Sequence, residues 1–133
     1  GSEMCIRDRL YTDTHFQVMS AAVTGKNDVV IAVTLSGETP DILETLTVAK
    51  KNKSKIIVIT NHILSAAAQM ANHVLLTAGR ETLIDGGSLI AKMSQLYIID
   101  VLCTGYALQN KDESLKMKHN TAEAVVRKNS GVK

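Results

Sequence analysis

Asp28-Val29-Val30-Ile31-Ala32-Val33-Thr34-Leu35-Ser36-Gly37-Glu38-Thr39-Pro40-Asp41-Ile42-Leu43-Glu44 decides the fold of this 133-residue chain. The β-branched run Val29 to Val33 reads as a strand that ends in hydroxyl residues and one glycine. Pro40 suits the first position of a helix, and Thr39 before it suits the N-cap. A strand that turns through such residues into a helix N-terminus gathers backbone N–H groups and the positive end of the helix dipole at one spot. Gly37 lets backbone approach a ligand closely, while Thr34, Ser36 and Thr39 offer hydroxyl donors. The chemistry fits a phosphate held by neutral donors. Spacing alone also fits an ordinary strand-to-helix turn, where Ser, Gly and Thr serve only as caps and turn formers.

Outward from this stretch, strands and helices alternate. Pro40 to about Asn52 reads as a helix with Ile42, Leu46 and Ala49 on one face. Lys55 to Thr60 reads as a second strand, Leu64 to Ala71 as a short Ala-rich helix, and His73 to Thr77 as a third strand. Short apolar runs between helices imply strands covered on both faces, hence an α/β fold with a mainly parallel sheet and right-handed crossovers. Ligands of such sheets sit beyond the carboxyl ends of the strands, where the Ser-Gly-Glu-Thr turn falls. A polar, glycine-bearing loop, Ala78 to Gly87, leads to a long helix from about Ser88 to Gln109. Its apolar residues cover most sides, which suits core or interface. A weaker amphipathic helix follows near Asp112 to Lys128.

Composition narrows the function classes. Hydrophobic residues make up 45% of the chain and aromatics 3%, so the core must be aliphatic. A formal charge of +2 is too small to imply nucleic-acid binding. Lys50, Lys51, Lys53 and Lys55 cluster at a helix end, where cations face the dipole and read as a solvated cap. Cys5 and Cys103 have neither metal-ligand spacing nor a disulfide framework, and no metal or cofactor is expected. Asp100 breaks the longest apolar stretch and no signal peptide is visible, so the expectation is a cytoplasmic protein with no membrane contact.

Thr34-Leu35-Ser36-Gly37-Glu38-Thr39 resembles the Ser-x-Ser-Gly-x-Thr signature of sugar isomerase (SIS) domains. Tyr11 to Ala22 is similar to the segment preceding this strand in the RpiR-type transcriptional regulators, which join an N-terminal helix-turn-helix domain to a phosphosugar-sensing SIS domain. The resemblance runs from about Leu10 to Arg127. It implies a three-layer α-β-α, flavodoxin-like domain that senses a sugar phosphate. Thr34, Ser36 and Thr39 would hold the phosphate, helped by the backbone N–H groups of Gly37 and Glu38, with the Glu38 side chain turned outward. It also implies a homodimer or higher oligomer packed through the Ser88 to Gln109 helix. No helix-turn-helix segment lies in these residues, so contact with DNA would fall to a domain outside them.

The N-terminus departs from the family. Gly1-Ser2 reads as a tag scar, and residues 3–9 match no part of the pattern. The expected organisation is residues 1–9 outside the family, 10–129 as one incomplete SIS domain, and 130–133 as a frayed tail. The usual first strand, its Gly-x-Gly-x-Ser loop and the first helix are missing. That strand is central in the family order, beside the Val29 strand, so its loss would expose two strand edges and remove about half of the phosphate cradle.

Two alternatives stand beside the sensor. Aldose–ketose isomerisation of a sugar phosphate needs a general base and a second acid–base group. Glu81 is the candidate base, with His15 and His62 as candidate partners, and His73 and His119 discounted. The third reading is a dimerisation module that binds no ligand.

Overall fold

The computed structural model describes residues 10–77, 89–111 and 115. The N-terminal residues 1–9, the loop with Glu81, Ser88, nearly all of the helix expected after Asp112 and the tail 130–133 lie outside the described residues. The chain divides into two compact units, Gly1–Gln95 and Leu96–Lys133.

Within the first unit come α1 (Thr14–Ala22), β1 (Val29–Val33), α2 (Pro40–Lys51), β2 (Lys55–Thr60), α3 (Ala66–Met70) and β3 (His73–Leu76). The strands form one parallel sheet in the order β1-β2-β3, with Val29 opposite Lys55 and Ile57 opposite His73. The α/β architecture expected from the alternating pattern is therefore present. Helices α2 and α3 carry the two crossovers, which in a parallel sheet return on the same side.

That side holds the core. Leu46 and Ala49 of α2, Ile56 and Val58 of β2, Ala67 of α3 and Ala21 of α1 are buried together, with Val30 and Ala32 of β1 against them. Among the described residues no aromatic contributes, in keeping with a chain in which aromatics are only 3%. On the opposite face of β1, Val29, Ile31 and Val33 remain exposed. Among the described residues β1 is an edge strand.

Helix α1 was not anticipated. Asp13 caps it, its Oδ1 accepting from the N–H groups of His15 (3.0 Å) and Phe16 (3.2 Å). Only Ala21 of this helix is buried, and α1 leans on α2 rather than on the sheet. Asn52 Nδ2 ties the two together by donating to the carbonyls of Ala21 and Ala22. The end of α2 carries a left-handed residue, Lys53 at φ 63. The N–H of Lys53 returns to the Lys50 carbonyl and that of Ser54 to the Ala49 carbonyl, a Schellman arrangement.

Helix α4 runs from Leu89 to Gln109, starting in the first unit and continuing through the second. Leu89, Met93, Leu96 and Tyr97 are exposed, while Ala91 is buried. No helix among the described residues is long and apolar enough to cross a membrane.

Candidate functional site

The ends of the three strands share one chemical feature. Thr34 follows β1, Thr60 closes β2 and Thr77 follows β3, and all three are buried. Ladder bonds set them side by side: Thr34 N–H donates to the Ile59 carbonyl and Thr77 N–H to the Thr60 carbonyl, both at 3.0 Å. Thr60 Oγ1 donates to the Leu35 carbonyl at 3.1 Å and accepts from the His62 N–H at 3.3 Å. Thr77 Oγ1 is hydrogen-bonded to Asn61 Oδ1. The carboxyl edge of the sheet is thus a band of hydroxyl and amide groups. Thr60, Asn61 and Thr77 were not singled out in the sequence. The recurrence of threonine at each strand end was the available signal.

Loop 34–39 lies over this band. Thr34 Oγ1 accepts from the Gly37 N–H at 3.1 Å, and Ser36 Oγ accepts from the Glu38 N–H at 3.2 Å. The two backbone donors expected to face a phosphate are therefore satisfied within the loop. A hydroxyl that accepts still has its own O–H to donate, so Thr34 and Ser36 hold the loop in shape and keep a donor each. Thr39 occupies the N-cap position of α2, yet its side chain makes no capping bond, and Pro40 has no N–H to give. The Thr39 hydroxyl and the first turn of α2 stand open at an exposed position. No cationic side chain lies within residues 34–39, and Glu38 is the one formal charge there.

Gly37 has φ +71, which favours glycine, but what approaches it closely is α3. Its Cα faces Ser65, and its carbonyl accepts from the Ala67 N–H at 3.0 Å. The close approach that this glycine permits is that of the N-terminus of the neighbouring helix. The Glu38 carboxylate turns toward the same helix, its Oε1 accepting from the Ala66 N–H at 2.8 Å.

Of the residues named for isomerase chemistry, only His15 and His62 fall among the described residues. His15 is exposed at the start of α1, His62 is exposed between β2 and α3, and Glu81 lies outside the described residues. Among the described residues, no cluster of His, Cys, Asp or Glu is placed to hold a metal. Cys103 is a free, exposed thiol. Lys50, Lys51, Lys53 and Lys55 are all exposed, as a solvated cap would be.

Comparison with known proteins bears on this arrangement. A family model described as SIS domain matches residues 10–105. The HTH-type transcriptional regulator RpiR of Escherichia coli is 34% identical over 109 residues, 82% of this chain and 37% of the regulator. The bifunctional protein glk of Burkholderia orbicola is 34% identical over 119 residues, 88% of this chain and 18% of that protein. Among solved structures, the Vibrio vulnificus NanR protein complexed with ManNAc-6P superposes with a TM-score of 0.78. It is 27% identical and is matched over 90% of this chain and 45% of its own. The chain spans about two fifths of the length of the regulators it matches.

Proposed function

The chain belongs to the SIS domain family, and from that premise we propose that it is the phosphosugar-binding sensor domain of an RpiR-type transcriptional regulator. The phosphate binds at loop 34–39. The observation that carries this reading is the loop itself: hydroxyls of Thr34 and Ser36 keep a donor, and Thr39 leaves the α2 N-terminus uncapped. An uncapped first turn offers N–H groups and a partial positive charge to an anion. Hydrogen bonds to a charged acceptor contribute roughly 1.5–3 kcal/mol each, so three or four suffice for micromolar binding without a lysine or arginine. The NanR complex with ManNAc-6P supports a sugar phosphate as the ligand class.

Two further parts of the reading concern the whole regulator. The exposed apolar residues of α4 support a homodimer through that helix. Ligand would act on DNA binding by preferring one of two dimer arrangements, since only differential affinity shifts such an equilibrium. The helix-turn-helix regulators among its relatives support that role.

The test is thermal unfolding against ManNAc-6P, other hexose and pentose phosphates, and inorganic phosphate. A ligand at a hundred times its dissociation constant adds about 2.7 kcal/mol, several degrees in a domain of this size. A shift with one sugar phosphate and no turnover is the expected result. A shift with turnover would move the reading to an isomerase with Glu81 as base. No shift with any sugar phosphate overturns the proposal.

A further inference from the structure

Helix α3 has its entire first turn of N–H groups consumed, and mostly by loop 34–39. The Ala66 N–H donates to Glu38 Oε1 at 2.8 Å, the Ala67 N–H to the Gly37 carbonyl at 3.0 Å, and the Ala68 N–H to Ser65 Oγ at 3.3 Å. Two consecutive loop residues thus supply the first two acceptors, one through a side chain and one through backbone. Gly37 is pressed against Ser65 so closely that a Cβ there would meet the serine side chain. The loop is clamped from the α3 side, and it leads directly into the uncapped start of α2.

Resting on the phosphate reading above, we infer that the Glu38 side chain is a positioning residue for anion binding. By bonding the Ala66 N–H it fixes the loop in the conformation that presents the Ser36 and Thr39 hydroxyls. It thereby strengthens the binding of an anion whose charge it shares. Two effects of opposite sign meet in this one carboxylate. Its charge opposes a phosphate, weakly, because the group is exposed and screened by salt. Its hydrogen bond to a backbone donor is charge-assisted and holds the loop, and bonds of that kind are the stronger of the two. The balance favours binding. The carboxylate reaches the ligand only through the backbone it holds.

The two effects separate by substitution. Glu38→Gln removes the charge but keeps an Oε1 acceptor. Glu38→Ala removes both. Ala66→Pro leaves Glu38 charged and removes the donor it needs. Proline is well tolerated at the first helical position, and Ser65 before it already has the extended backbone (φ −65, ψ 158) that a following proline requires.

The experiment measures the affinity of the full chain for ManNAc-6P and for inorganic phosphate by titration calorimetry. Amide exchange of Gly37 and Ala67 is followed in the free protein alongside. The expected result is that Glu38→Ala and Ala66→Pro each bind about tenfold more weakly and exchange faster at both amides. Glu38→Gln should match or exceed the parent in affinity, because it keeps an acceptor and loses the repulsion, with exchange at both amides between that of the parent and that of Glu38→Ala. Thr24→Val, which breaks the Ser54 Oγ to Thr24 Oγ1 bond (2.7 Å) at the amino end of the strands, should lose stability without losing affinity.

If Glu38→Ala and Glu38→Gln bind equally well, or both bind more tightly, the side chain acts by charge alone and the inference is overturned. Unchanged binding in Ala66→Pro overturns it as well. If the parent binds neither probe, the phosphate reading falls, and the binding role of Glu38 with it. The exchange data then show separately whether the clamp exists. If binding is found but exchange is unaltered in Glu38→Ala, the phosphate reading stands and the clamp does not.

Discussion

Gly37 and Ser65 touch across two loops with no room for another atom: a Cβ on Gly37 would overlap the serine Oγ and lie 2.5 Å from its Cβ. The contact joins the turn after β1 to the N-cap of α3. It explains why the glycine is needed even where nothing else is bound. Gly37→Ala meets both this clash and a left-handed φ of +71. We expect a loss of about 2–4 kcal/mol, roughly 10 °C in Tm. The double variant Gly37→Ala with Ser65→Gly should recover only the steric part, leaving about 1–2 kcal/mol for the backbone conformation. Full recovery would mean that the backbone is not strained.

Thr34 and Thr39 belong to the same motif but should respond differently to loss of the hydroxyl. Thr34→Val is nearly isosteric and leaves the buried Gly37 N–H without its acceptor, at a cost of about 1–3 kcal/mol. Thr39→Val removes an exposed hydroxyl that makes no capping bond, so stability should stay within about 0.5 kcal/mol. Its sugar-phosphate affinity should nonetheless fall, most clearly in combination with Ser36→Ala. Denaturant unfolding and calorimetric titration on the same samples separate the two outcomes. A Ser36→Ala, Thr39→Val double variant that binds like the parent would remove these residues from the site.

What the sequence disclosed, and what it hid, follows from where the physics is local. β1, α2 and β2 were legible because a β-branched run, a Pro at the first helical position and a second apolar run each fix their element within a few residues. The strand Lys55 to Thr60 was read at its observed limits, and α2 ends one residue before the expected Asn52. α1 was missed because Phe16 and Met19 point to solvent and only Ala21 is buried, so no apolar stripe announces it. At the site, the residue types were legible and their partners were not. Gly37 reads as a glycine that admits close approach, and the atoms beside it belong to Ser65, reached only after a helix and a strand. Glu38 reads only as a side chain turned outward; its bond to the Ala66 N–H joins two residues that no spacing rule connects.

Lys53 offers a stabilising change of the opposite kind. It stands at φ 63 just beyond α2, with its N–H and that of Ser54 closing the helix. A side chain in that conformation costs about 1 kcal/mol or more relative to glycine. Lys53→Gly should therefore raise stability by about 0.5–1 kcal/mol despite the extra freedom glycine gives the unfolded chain. The lysine is exposed and distant in sequence from loop 34–39, so ligand affinity should not change. A lower Tm would show that the Lys53 side chain makes a contribution larger than its backbone strain.

The last prediction concerns α4. Leu89, Met93, Leu96 and Tyr97 follow three- and four-residue spacing and are between 61% and 71% exposed. A cluster of this kind on one helix face is costly to leave in water and suits a second copy of the same surface. Leu96→Glu places a charge in the middle of the cluster. In a dimer packed through this face, that charge would be buried without a partner, which costs several kcal/mol and more than a hundredfold in association. Light scattering should therefore find a monomer for Leu96→Glu at concentrations where the parent is a dimer. Gln109→Glu, a charge added at the exposed end of the same helix, should leave the dimer intact. If Leu96→Glu remains dimeric, the association surface lies elsewhere. The proposed coupling of ligand to DNA binding would then have to run through a different contact.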